Sequence, residues 1–185
     1  MRPLRHAAGA VLLLTALAAC QPMPPPLPDA TAARPAAEPK PFRDRRGWVV
    51  TIVPASGSNR AHCVGQRAVP AGLAVTFIAG DPNSSFRLSG LPTTPPPGAS
   101  ERLAVRFDDG RDRERRTFDA RALPDGSLEV TFPTIQYDGI LDHFGRARTV
   151  TFESQRLGLI GSVDLDGSSW TINATDECRR MHVLP

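Results

Sequence analysis

The stretch Leu73-Ala74-Val75-Thr76-Phe77-Ile78-Ala79, closed by Gly80-Asp81-Pro82, decides the class of fold. Leu73, Val75 and Phe77 alternate, which places them on one face of a strand. The glycine, aspartate and proline that follow are turn formers, so the strand ends where its pattern ends. Leu103, Val105 and Phe107 repeat the alternation further along. Working outward, short β-branched or aromatic runs occupy residues 48–53, 61–69, 85–89, 117–120, 128–132, 150–154 and 159–165. Between runs stand Ser56-Gly57, Pro70-Ala71-Gly72, Asp109-Gly110 and Asp125-Gly126. Pro124-Asp125-Gly126-Ser127, with apolar runs on both sides, is the strongest hairpin signal. Short strands at this spacing predict a mainly β domain, a small antiparallel β-sandwich or barrel.

Two segments depart from the strand pattern. In residues 135–146, Ile140, Leu141 and Phe144 fall at helical spacing and Gly145 is placed to stop the turn. In residues 168–180, Ser168 is placed to cap, and Trp170, Ala174 and Cys178 recur every four residues, with Met181 extending the stripe. That spacing predicts a C-terminal helix lying on the sheet. Ahead of the domain, residues 20–46 are rich in proline and alanine, which disfavours helix and sheet ladders and favours an extended spacer. The expected division is therefore residues 1–19, a tether over 20–46 and a β-rich domain over 47–185.

The first segment has its own grammar. Arg2 and Arg5 precede an apolar run over residues 7–19, which is short for a membrane span and ends in small residues. Leu17-Ala18-Ala19-Cys20 resembles the lipobox of bacterial lipoproteins. The resemblance implies that the Cys20 thiol carries a diacylglyceryl group, that the leader is cut before it, and that the new amino terminus is acylated. The protein would then sit in the bacterial cell envelope, bound to a membrane through its lipid. Gln21 lacks the aspartate that often marks inner-membrane retention, so the outer membrane, facing the periplasm, is the expected location. Loss of Arg2 and Arg5 with the leader reduces the formal charge from +3 to +1. A nearly neutral chain gives no electrostatic argument for a nucleic-acid partner.

With Cys20 assigned to lipid, Cys63 and Cys178 remain, and an even remainder in an oxidising compartment reads as one disulfide. Closing so long a loop would stabilise the fold by about 4–5 kcal/mol in the chain-entropy account. A zinc pair or a reactive thiol are the rival readings. Zinc would need more ligands at suitable spacing, and only His62 stands beside either cysteine.

No catalytic, cofactor or metal residues emerge. Residues 101–121 hold seven arginines and six acids, and such alternation suits a solvated hairpin better than a grip on phosphates. Its functional counterpart is an arginine cluster for an acidic partner such as a lipid phosphate or polyanionic glycan. Asp164-Leu165-Asp166-Gly167-Ser168 has its glycine too early for a calcium loop and reads as a strand ending in a tight turn. Lys40 is the only lysine, which removes any Ser-x-x-Lys nucleophile, and no glycine-flanked serine elbow appears. His62 and Cys63, as strand neighbours, point to opposite faces. His143, among Asp142, Phe144 and Arg146, reads as a surface residue. The proline-rich residues 91–99 read as an exposed connector.

From Trp48 to Cys178 the order of features resembles small periplasmic proteins of the invasion-associated locus B type. The shared marks are the Trp48-Val49-Val50 strand, Cys63, the run at 159–165 before Gly167-Ser168-Ser169, and a late cysteine in a terminal helix. The resemblance implies a β-sandwich envelope protein linked to host association, without enzymatic activity and without site residues to carry over. Together these readings predict a non-enzymatic envelope lipoprotein that binds or assembles with an envelope or host protein or glycan. The alternatives are a lipoprotein inhibitor that plugs a lysozyme or protease cleft with a loop such as 91–99, and a hydrolase with a dispersed triad.

Overall fold

The computed structural model describes residues 37–67 and 72–184. Cys20 and the leader, and most of the tether, lie outside the described residues. Ten strands form one antiparallel sheet: β1 (Lys40–Arg45), β2 (Trp48–Val53), β3 (His62–Arg67), β4 (Ala74–Ala79), β5 (Asn83–Ser89), β6 (Ser100–Asp108), β7 (Arg113–Ala122), β8 (Leu128–Pro133), β9 (Thr149–Ser154) and β10 (Gly158–Asp164). Their order across the sheet is β1-β2-β3-β4-β5-β8-β7-β6-β9-β10. Two helices complete the described fold, α1 (Tyr137–Arg146) and the C-terminal α2 (Ser168–His182). The class is thus mainly β with a C-terminal helix, as the alternating runs predict.

The route of the chain explains how the sheet acquires an inside. β1 to β5 form a meander, the chain then jumps outward to β6, and β7 and β8 return it to the flank of β5. From β8 it must reach β9, on the far side of β6, and α1 makes that crossing. The crossing helix carries Phe144, fully buried, to ring-centroid distances of 5.5 Å from Phe77 on β4, 4.9 Å from Phe86 on β5, 4.9 Å from Phe107 on β6 and 6.5 Å from Phe152 on β9. In a flat sheet β4 and β9 would stand about 24 Å apart at the usual strand spacing of about 4.8 Å. Contact of both with one side chain requires the sheet to roll around α1.

Alternation sorts the rest. Val75, Phe77, Leu103, Val105, Phe107, Leu128, Val130, Val150 and Phe152 face inward and are buried. Their neighbours Arg87, Arg106, Arg115, Glu129 and Glu153 lie on the convex face and pair with one another. The predicted turn at Pro124–Ser127 joins β7 to β8: the Asp125 carboxylate accepts bonds from the Ser127 amide and hydroxyl at 3.0 and 2.6 Å. Gly126 adopts a φ of 81°, the left-handed region that glycine enters without strain.

α2 lies across β2, β3 and β4, and a second small core forms there from Val50, Cys63, Ala174 and Cys178. The helix comes so close to β3 that a Cβ at Gly65 would lie 2.4 Å from Thr175 Oγ1. Cys63 on β3 and Cys178 on α2 meet there, with Cα atoms 6.1 Å apart and sulfurs at bonding distance, so helix and strand are stapled together.

Several local expectations are corrected. β1 lies inside the stretch read as tether, so the sheet begins at Lys40 instead of 47. Its sequence, Lys-Pro-Phe-Arg-Asp-Arg, hides a strand because an edge strand is allowed charge and proline. Ser168 does not cap α2. Gly167 holds the cap position at a φ of 85°, while the Ser168 hydroxyl donates to the Phe144 carbonyl at 2.9 Å and ties the two helices together. The buried stripe of α2 runs through Thr171, Ile172, Ala174, Thr175 and Cys178, and Met181 is exposed beyond it.

Candidate functional site

A mainly apolar cleft lies between β10 and the ends of β2 to β4. It has a volume of about 390 Å³ and is lined by Trp48, Leu73, Ala74 and Val75 on one side and Ser162, Val163 and Asp164 on the other, with Arg67 at its rim. Antiparallel order puts the start of β2, the end of β3 and the start of β4 together, which is why residues so far apart share one wall. Trp48 is anchored by its indole N–H, which donates to the Asp166 carbonyl at 2.8 Å, and its ring stacks on Phe77 at 5.7 Å. At the rim, Arg67 Nη1 lies 3.7 Å from an Asp164 carboxylate oxygen and donates a long bond of 3.5 Å to the Asp164 carbonyl.

Among the described residues β10 is also an edge strand. It is paired with β9 on one side and stands last in the sheet order. From Leu157 to Val163 the chain there carries no charge, and Leu159 is 67% exposed. A neutral sheet edge bordering an apolar cleft offers main-chain hydrogen bonding and side-chain burial together.

A second opening, of about 220 Å³, lies between the β6–β7 turn and the end of α1, and is lined by Phe107, Asp109, Asp112, Glu114, His143, Arg146 and Ala147. His143 is not a plain surface residue. Its ring lies 5.6 Å from that of Phe107, and Nδ1 is 2.8 Å from Glu114 Oε2. Burial works to raise the Glu114 carboxyl, but the Arg116 hydrogen bond and the His143 and Arg116 charges outweigh it, leaving the group below its ordinary value. No serine, threonine or cysteine lines this opening, so the histidine–carboxylate pair faces no side-chain nucleophile there. The Asp109 carboxylate is already occupied by the amides of Arg111 and Asp112, both at 2.8 Å.

The other sequence features find structural employment. His62 is directed to the Arg60 carbonyl at 3.0 Å while Cys63 is buried in the disulfide, so the two diverge as neighbours on a strand must. In the β6–β7 hairpin Arg113 pairs with Asp108 at 2.9 Å, and Arg106 and Arg115 both turn to Glu153. Those arginines pair within the chain but remain exposed. Asp164 accepts the Asp166 amide at 2.9 Å, forming the tight turn that leads into α2. Residues 91–99 are mostly exposed, as read for a connector, and are tied down where Gly98 donates to the Ala122 carbonyl at 2.8 Å and Thr94 packs against Gly126 of the neighbouring turn. Glu101 is buried at the start of β6, where it accepts from Ser154 Oγ at 2.7 Å and Arg156 Nε at 2.8 Å, which fixes the β9–β10 turn. Among the described residues no cluster of three or more metal-binding side chains occurs, and no helix is long and apolar enough to cross a membrane.

Sequence reading missed the cleft because its walls come from β2, β3, β4 and β10. No local signal marks it, since the uncharged run at 157–163 is shorter than those at 47–59, 68–80 and 88–100. In comparison with known proteins, the chain matches no family model, no curated protein and no solved structure.

Proposed function

We propose that this chain is a non-enzymatic lipoprotein of the bacterial envelope, acting as a binding or assembly module at the periplasmic face of the outer membrane. The observation that carries the reading is the apolar cleft beside the edge strand β10, which is uncharged from Gly158 to Val163. The leader, with its Leu17-Ala18-Ala19-Cys20 ending, supports anchoring through Cys20, and the proline-rich residues that follow suit a spacer between lipid and domain. The partner is an envelope or host protein or glycan. The likeness to invasion-associated locus B type proteins points to the same class of role.

Crosslinking the native protein in its own cells, followed by pull-down and mass spectrometry, tests this function. One dominant envelope partner is the expected result. A folded, membrane-bound protein that captures nothing, or that turns over ester or peptide substrates, would overturn it. Replacing Cys20 with serine should release the protein from membranes; persistent attachment would refute the lipid anchor.

A further inference from the structure

We propose that the carboxyl end of α2, with the start of β1 beside it, is the face on which the domain settles against a phospholipid surface. Met181 and Leu184 would enter the interface, while Lys40 and Arg180 meet lipid phosphates. The inference rests on the reading of Cys20 as a lipid anchor. It adds what that reading leaves open, which side of the domain the membrane touches.

Four large apolar side chains are well exposed among the described residues, Ile135, Leu159, Met181 and Leu184, and two of the four stand at the carboxyl end of α2. Met181 comes one helical step after Cys178, the last buried position of the helix, and is 61% exposed. Leu184 follows the helix, and its amide donates to the Arg179 carbonyl at 3.2 Å, so the chain curls back over the helix end. The same place is where the amino-terminal segment joins the domain. The His182 ring lies 5.6 Å from that of Phe42 on β1, and Val183 packs on the same small core as Phe42. Lys40, exposed, opens β1 just ahead of Phe42.

Chain continuity selects the membrane as the occupant. Only residues 21–39 separate Cys20 from β1, and in the extended form that prolines favour they would reach about 60 Å. An acylated Cys20 therefore presents this end of the domain to the bilayer at a high effective concentration, and a weak contact is enough. Charge agrees. Arg180 is exposed even while its Nε lies 3.2 Å from Asp176, and the nearby Glu177 is paired with Arg43. Cations on long stems beside apolar side chains suit the boundary between headgroups and acyl chains, with the charge on the phosphates and the stem below them. Glu38, also exposed, offsets part of the charge, so the apolar pair makes the larger contribution.

The test places the full lipidated chain in phosphatidylglycerol vesicles that carry a lipid with a photoreactive acyl chain, and maps the lipid adducts by mass spectrometry. Adducts should concentrate at Met181, Leu184 and the start of β1. Met181→Ser combined with Leu184→Ser should lower that labelling roughly tenfold, the factor for about 1.4 kcal/mol. Both side chains are exposed, so the variant keeps the fold, which circular dichroism checks. Lys40→Glu should lower labelling more in phosphatidylglycerol than in phosphatidylcholine vesicles. The proposal is overturned by adducts spread evenly over the domain or gathered elsewhere, by labelling indifferent to the paired serine substitutions, or by crosslinks between two copies through this end of α2. Each of those results leaves the anchor itself intact. A native chain whose mass shows no lipid on Cys20 would instead remove the anchor, and this inference with it.

Discussion

The two edges of the sheet are built in opposite ways. β1 has charge at Lys40, Arg43, Asp44 and Arg45, a proline at position 41 and a register shift after it, and Arg43 is further clamped to Glu177 of α2 by paired bonds of 2.7 and 2.8 Å. Each of these devices discourages another strand from joining. β10 carries one charge, Asp164 at its end, and no proline, with a register shift between Leu159 and Gly161. The flanking structure differs as well. The β1 side is secured to α2 by the disulfide, whereas the turn entering β10 is secured by the buried Glu101 carboxylate. The β1 edge is thus charged and tied to α2, while the β10 edge is uncharged from Gly158 to Val163 and borders an apolar cleft.

The contrast can be broken from either side. The largest effect is expected on the β1 side: replacing both Cys63 and Cys178 with serine should cost about 4–5 kcal/mol in the chain-entropy account. Urea unfolding measures the loss, and hydrogen exchange should show α2, β2 and β3 loosening more than β6 and β9. Uniform loosening would mean that the two sides are not separately secured. On the β10 side, Glu101→Ala strips the Ser154 and Arg156 bonds and leaves the buried Ser154 hydroxyl unpaired while Arg156 stays solvated, so a cost of about 1–3 kcal/mol is expected. Exchange should rise first in β9 and β10.

Acid should act between the edges. The Asp125 carboxyl is held below its ordinary value by the Ser127 hydroxyl and amide. At the β6–β7 turn, the Gly110 amide and then Arg113 lower Asp108, and the Asp112 and Arg111 amides lower Asp109. A carboxyl depressed in the folded state stabilises above its unfolded value, about 3.9 for aspartate, and that contribution is lost as pH falls through the folded value. Below about pH 4 the tips of the β6–β8 meander should loosen before either edge does, which amide exchange at Gly110 and Ser127 would record. The smallest effect belongs to Arg43→Ala. Its ion pair with Glu177 is solvent-exposed and should contribute about 0–1 kcal/mol to stability.

Much of the sheet was legible because its strands obey a simple alternation. Val75, Phe77, Val105 and Phe107 announce their faces, and the Asp125-Gly126 turn announces the β7–β8 hairpin. β6 and β7 run longer than their apolar cores suggest, since Arg113, Arg115 and Arg121 belong to strand positions on the solvated face. β1 was illegible for the same reason in stronger form: its solvent exposure removes the hydrophobic pattern that marks a strand. The route from β5 out to β6 is a tertiary choice without a local code. So is the cleft, where Trp48, Val75 and Val163 meet only because the sheet rolls around Phe144. The cysteine pairing, by contrast, followed from counting alone.

The most direct measurement places a photoreactive side chain at position 159 on β10 or, separately, at position 40 on β1 of the full lipoprotein in its own cells. The account predicts a dominant partner adduct from position 159 and none from position 40. Equal capture at both edges, capture only at position 40, or no adduct at either would contradict the claim that the neutral edge is the working surface.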